Sequence, residues 1–188
     1  MVLEVFIFLI LGLCIGSFLN VLIFRIPKNE GFLKGGSYCD NCKRNILWFD
    51  LIPLISFLIL KGRCRFCKSK ITLQIPIVEA VTSILFALTF LRFPLFDFNL
   101  LFYIYIICSF IVIFFIDLNK DIIPDKILYS AIVITLVYIF LSQNFINHIA
   151  SSLISFIFFF SIYFFSKGKG MGFGDVKSSF LLGLLLGF

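Results

Sequence analysis

The chain has 188 residues, of which 61% are hydrophobic and 19% aromatic, and its mean hydropathy is +1.13. Soluble domains are about 45–50% apolar, so this composition excludes a soluble globular fold and defines an integral membrane protein. The net charge of +6 is distributed unevenly: ten of the 16 basic residues lie between Arg25 and Lys70, and Lys120, Lys126, Lys167, Lys169 and Lys177 make five more. Basic residues collect in cytoplasmic loops. One topology puts all of these on the cytoplasmic side, with the N-terminus outside, and the charge needs no nucleic-acid partner to explain it.

In chain order, the first span is Val2–Phe24, which lacks a basic start and a small-residue cleavage site and so reads as a retained helix. A polar insert, Arg25–Gln74, follows. The second span, Ile75–Leu91, leads through the short loop Arg92–Asp97 to a third, Phe98–Ile116. The fourth, Ile127–Leu141, is short for a bilayer that asks for about 20 residues. The uncharged loop Ser142–Asn144 precedes a fifth span, Phe145–Phe165, and a sixth starts near Val176 and stops at Phe188. Each is expected to be helical, because lipid admits only helices or closed barrels. The expected fold is therefore an all-α polytopic membrane protein of about six segments, the last incomplete, with a small cytoplasmic zinc-binding insert. Residues 1–24 form the first span, 25–74 the insert and 75–188 a membrane domain that ends early.

Within the insert, Cys39-Asp40-Asn41-Cys42 and Cys64-Arg65-Phe66-Cys67 are two C-x-x-C knuckles 21 residues apart. That spacing is a strong signature of tetrahedral zinc, and disulfides seldom persist in the cytoplasm. Cys39, Cys42, Cys64 and Cys67 fill all four positions, which predicts a structural Zn2+ that lets a small insert fold without a large core. Cys14 and Cys108 fall inside spans and read as packing residues.

Two acids stand where apolar chain gives way to polar chain. Asp117 follows Phe110–Ile116, and Asp175 closes Gly170-Met171-Gly172-Phe173-Gly174. An acid at a membrane edge is costly unless solvated, paired or used. The topology places both at the same face, where a close carboxylate pair would push one pKa up and leave one acid ionised and one protonated. The ionised member would activate water and the neutral one would support a peptide carbonyl. Against this, Asp175 before an apolar run also suits a helix cap. Asp125 after Pro124 suits capping better than catalysis, and Asp121 suits a solvated loop. Glu79 reads as a snorkelling side chain, a polar helix contact or a neighbour of the site. His148 reads as an interfacial side chain, and Gly16, Ser17 and Asn20 as a close-packing stripe. Two rival functions remain at this level: a proton-coupled carrier, and a non-catalytic scaffold of secretion machinery.

Gly16-Ser17-Phe18-Leu19-Asn20-Val21 leading to Arg25-Ile26-Pro27, the two cysteine knuckles, Ile116-Asp117 with Pro124-Asp125, and Gly172-Phe173-Gly174-Asp175-Val176-Lys177 together resemble the bacterial type IV prepilin peptidases. The resemblance implies a GxGD-type aspartic endopeptidase of the bacterial inner membrane, active at the cytoplasmic face. It implies that Asp117 and Asp175 are the catalytic acids and that Cys39, Cys42, Cys64 and Cys67 bind zinc. The implied substrates are prepilins or type II secretion pseudopilins with a basic leader and a hydrophobic helix, cut after Gly. N-methylation of the new amino terminus from S-adenosylmethionine is implied as well, with no residues assigned to it. Such enzymes continue with further spans beyond GxGD, so the peptidase domain is expected to be truncated at its C-terminus.

Overall fold

The computed structural model describes residues 2–31, 36–141 and 145–187. Among them regular structure is helical: α1 (Val2–Arg25), α2 (Ile55–Ile59), α3 (Gln74–Arg92), α4 (Phe98–Lys120), α5 (Asp125–Phe140), α6 (Phe145–Phe165) and α7 (Phe173–Leu186), with short 3-10 turns at Ile26–Lys28 and Trp48–Leu51. Pairing of extended chain among these residues is confined to the isolated bridges Tyr38–Asn45 and Arg63–Lys70. Four stretches are long and apolar enough to cross a membrane: Val2–Lys28, Gln74–Arg92, Phe98–Lys120 and Phe145–Phe165. Helices α5 and α7, at 16 and 14 residues, are shorter. The chain divides into two compact units, Met1–Phe115 and Ile116–Phe188, with the division inside α4.

In the N-terminal unit, α1 lies directly on α3. Glycines make this possible: a Cβ built on Gly12 would fall 2.5 Å from Ser83 Cα, and one on Gly16 would fall 2.8 Å from Glu79 Cα. In lipid there is little hydrophobic drive between helices, so close backbone approach and interhelical hydrogen bonds carry the association. Two such bonds are present, from Ser83 Oγ to Leu9 O (2.8 Å) and from Asn20 Nδ2 to Ile75 O (3.1 Å). The Gly16–Asn20 stripe is thus a packing device. Phe8, Phe86, Phe90 and Leu100 form the adjoining apolar core, with Phe8 stacked on Phe90 at 4.5 Å. Asp97 starts α4 by accepting the Leu100 amide at 3.0 Å.

In the C-terminal unit, α7 packs on α6 in the same manner. A Cβ on Gly183 would sit 2.6 Å from Ser152 Cα, and Ser151 and Ser152 are the buried residues of α6. Ile157, Phe158 and Phe164 of the same helix are each more than half exposed. Small polar groups inside and large apolar groups outside suit a helix whose solvent is lipid.

Helix boundaries differ from the expected spans where polar residues continue a helix. Helix α4 runs past Ile116 to Lys120, so Asp117 lies on its last turn rather than beyond it. Helix α7 begins at Phe173, three residues before Val176, which puts Asp175 inside its first turn. The loop Ser142–Asn144 and Phe188 lie outside the described residues.

Candidate active site and metal centre

The cysteine insert is built from two copies of one turn. In the first, Cys39 N–H donates to Arg44 O (3.0 Å) and Lys43 N–H to Cys39 O (2.8 Å). In the second, Cys64 N–H donates to Ser69 O (2.8 Å) and Lys68 N–H to Cys64 O (3.0 Å). Lys43 and Lys68 both adopt the left-handed backbone, at φ 57° and 59°. Each turn is closed by one of the two β-bridges. Equal hydrogen bonding around two C-x-x-C-Lys segments aims both thiol pairs at one point.

The four Sγ atoms of Cys39, Cys42, Cys64 and Cys67 lie within 4.8 Å of one another, and Cys39 and Cys67 are 3.8 Å apart. Four thiolates around zinc at about 2.3 Å stand about 3.8 Å from each other, so the donor set and spacing fit zinc. All six cysteines are free thiols. Cys67 is pulled down to about 5 by the Ser69 hydroxyl, 3.0 Å from its sulfur, and by the Ser69 amide. Cys42 has the Arg44 amide beside it, yet desolvation and the neighbouring thiols Cys67 and Cys39 push it up to about 11. Four thiols this close cannot all ionise without a cation between them, and the cluster has the donor set and spacing to hold a divalent metal.

Residues that the sequence reading missed hold this centre in place. Arg65, inside the second knuckle, makes a bidentate pair with Asp50 (Nε–Oδ2 2.8 Å, Nη2–Oδ1 2.6 Å) and lies over the Phe49 ring. The guanidinium holds the Asp50 carboxyl below the usual carboxylate range. Arg25, at the end of α1, donates to Gly31 O and Gly36 O at 3.2 and 2.9 Å. The repeated C-x-x-C-Lys was a visible signal for the twin turns. Nothing local marked Asp50 and Arg65 as partners.

The two aspartates belong to the C-terminal unit. Asp117 is half-buried on the last turn of α4, and Asp175 is exposed at the third residue of α7. A Cβ on Gly174 would meet the Ile123 side chain at 3.0–3.1 Å, so the turn carrying Asp175 presses on the α4–α5 connection that follows Asp117. Lys177 Nζ closes the same junction by binding Asp125 Oδ1 at 2.7 Å, over the rings of Tyr129 and Phe173. The structure thus brings together the chain segments bearing the two acids. Among the described residues no hydrogen bond joins the two carboxylates directly.

Capping is distributed differently from the sequence expectation. Gly172 is the N-cap of α7, and Asp175 Oδ2 accepts its amide at 3.2 Å from the third helical position. Having no side chain, Gly172 leaves this as half of a reciprocal capping box. Pro124, not Asp125, is the N-cap of α5, and Asp125 is taken by Lys177. Asp121 ends α4: at φ 54° it donates its amide to Asp117 O at 2.7 Å. His148 is half-buried in the first turn of α6 and packs against α7, with Nδ1 2.8 Å from Leu184 O. Cys14 is exposed on α1, whereas Cys108 packs against the Phe8 cluster.

Glu79 is neither snorkelling nor solvated. It is 4% exposed, its Oε2 accepts the Leu54 amide at 2.8 Å, and the Ser17 hydroxyl hydrogen-bonds it as well. Leu54 sits at φ 57°, ψ −46°, in a three-residue turn closed by Ile55 N–H to Pro53 O at 2.6 Å. That conformation is strained for a residue with a Cβ, and the buried carboxylate helps to fix it. Glu79 also lines a cavity of about 490 Å³ in the N-terminal unit, to which neither Asp117 nor Asp175 contributes.

A helical, multi-pass membrane protein with a four-thiol centre and two membrane-edge aspartates on tightly packed turns defines a narrow class. Residues 10–93 match the bacterial Peptidase A24 N-terminal domain, and residues 104–188 match the type IV leader peptidase family. Several relatives carry the name prepilin leader peptidase/N-methyltransferase. That of Vibrio cholerae is 32% identical over 195 residues, covering 96% of this chain and 76% of its own. That of Klebsiella pneumoniae is 31% identical over 190 residues, covering 94% and 82%. That of Myxococcus xanthus is 38% identical over 121 residues, covering 64% of this chain and 36% of its own length. No solved structure matches the chain. The chain belongs to the type IV prepilin leader peptidase/N-methyltransferase family of multi-pass inner-membrane enzymes.

Proposed function

We propose that this chain removes the leader of prepilins and type II secretion pseudopilins by hydrolysis at Asp117 and Asp175, in a peptidase domain spanning 75–188. The observation that carries this reading is the contact of Gly174 with Ile123, which seats the Asp175 turn against the segment leaving Asp117. A side chain at position 174 would press on Ile123, between the segments that carry the two acids. In the proposed reaction one ionised aspartate takes a proton from water, and the resulting hydroxide attacks the scissile carbonyl. The protonated partner hydrogen-bonds the developing oxyanion, and the amine leaves with a proton, so no covalent enzyme intermediate is needed. The substrate would present a basic leader on the cytoplasmic side and a hydrophobic helix in the bilayer, cut after Gly. The basic-residue distribution supports an outside N-terminus and a cytoplasmic site. Structural Zn2+ on Cys39, Cys42, Cys64 and Cys67 would hold the insert. The relatives' N-methyltransferase name supports a second step, methylation of the new amino terminus with S-adenosylmethionine. A proton-coupled carrier or an inert scaffold finds no support in the family matches.

The test is cleavage of a co-expressed prepilin in cells lacking their own peptidase. The unmodified chain should yield the mature product, and Asp117→Asn and Asp175→Asn should each abolish it while the protein still inserts. Cleavage that survives either substitution would refute the aspartate pair.

A further inference from the structure

The cavity of the N-terminal unit lies where α1 and α3 meet the cysteine insert, and its volume of about 490 Å³ is within the ~300–1,000 Å³ range of small-molecule sites. Two of its wall residues are buried acceptors. Asn20 is 5% exposed; its Nδ2 bonds Gly16 O and Ile75 O, while its Oδ1 is buried without a partner. Glu79 is 4% exposed and is held by two neutral donors, the Leu54 amide and the Ser17 hydroxyl. Among the described residues it forms no ion pair. A buried carboxylate without a counter-cation beside an orphan carbonyl oxygen is a costly arrangement. A ligand that brings positive charge and N–H donors relieves both costs. Phe24 and Phe57 in the same wall offer apolar faces for a planar base, and Arg25 and Lys28 supply positive charge for a carboxylate.

From this geometry we infer that the cavity is the S-adenosylmethionine site, with Glu79 and Asn20 facing the cationic end of the cofactor. The inference rests on the methyl-transfer reading above. When bound, the cofactor supplies a methyl group: the N–CH3 bond forms as the S–CH3 bond breaks, sulfur keeps the electron pair as a neutral thioether, and the amine's displaced proton passes to solvent. Glu79 therefore faces a cation before transfer and a weaker one after it. This charge difference favours donor over product and gives the site a way to release S-adenosylhomocysteine.

The deciding experiment is calorimetric binding of S-adenosylmethionine and S-adenosylhomocysteine to the purified, zinc-loaded full chain, with zinc content and elution profile as fold checks. Glu79→Gln keeps an acceptor for Leu54 and removes the charge; it should weaken the sulfonium ligand at least about tenfold and the thioether much less. Val21→Phe, which narrows the cavity from α1 without touching the carboxylate, should weaken both ligands alike. Unchanged binding of S-adenosylmethionine in both variants overturns the site and leaves methyl transfer standing. An equal loss of both ligands in zinc-loaded Glu79→Gln overturns it too, because the carboxylate then does not read the sulfonium charge. If Glu79→Gln loses zinc, Val21→Phe decides between retained and lost binding. Absence of binding to the unmodified chain overturns the inference together with methyl transfer, whereas the prepilin cleavage assay reports on the aspartates independently.

Discussion

Helix pairs α1/α3 and α6/α7 are joined by the same device, a glycine laid against backbone that carries hydroxyl side chains. What they support differs. The first pair brackets a long insert whose large apolar side chains, Trp48, Ile55, Leu58 and Ile59 among them, stay more than half exposed, and whose shape depends on four thiols and the Asp50–Arg65 pair. The second is connected by the brief turn Ser166–Gly172, and the packing of α7 together with the Gly174–Ile123 contact sets the position of Asp175. A long polar segment needs its own cross-link, while a short one inherits its geometry from the helices it joins.

Zinc removal breaks this comparison most sharply. Metal binding in small zinc modules is worth about 10–16 kcal/mol. Chelation, or Cys39→Ser with Cys64→Ser, should therefore unfold residues 36–73, seen as new proteolytic cuts there. Hydrogen exchange in α6 and α7 should be unchanged. Protection lost equally in both regions would show that the C-terminal unit also relies on the metal. Next in size, Asp117→Asn or Asp175→Asn should cut prepilin processing by on the order of 10²–10⁴-fold with zinc content and thermal unfolding preserved.

Packing substitutions sharpen the comparison further. Gly16→Val and Gly183→Val each drive a side chain into backbone and should each cost about 1–3 kcal/mol, read as lower thermal midpoints. Gly16→Val should additionally raise protease sensitivity in the insert, because Gly16 lies on the Glu79 turn of α3 that holds Leu54. Gly174→Ala meets a side chain rather than backbone, so Ile123 can yield. Stability should change little while processing falls, which a KM-against-kcat comparison will register. The smallest effect belongs to Lys177→Met. Asp125 is more than half exposed, and surface ion pairs contribute about 0.2–1 kcal/mol, a loss that added salt should largely reproduce.

Most of the site was legible as local pattern. The two C-x-x-C segments encode their turns within six residues each, and the backbone hydrogen bonds repeat accordingly. The contact of Gly174 with Ile123 was not legible, because the glycine beside Asp175 carries no sign of the surface it meets. Partners distant in the chain were not legible. Lys177 and Asp125 are 52 residues apart, and nothing in either neighbourhood names the other. Glu79 read as a possible snorkelling side chain because burial in a helical span gives no local cue to a donating amide 25 residues earlier.

Apolar content, basic-residue placement and the spacing of the cysteines determined by themselves a helical membrane protein with a four-thiol cluster able to hold a metal ion, because each depends on solvent transfer or on short-range chain geometry. Tertiary structure alone decided that Asp125 serves Lys177 rather than capping α5, that Asp175 accepts the Gly172 amide, and that Glu79 closes a cavity against the insert. Those outcomes depend on which surfaces meet once the helices pack, and a linear pattern carries no term for that.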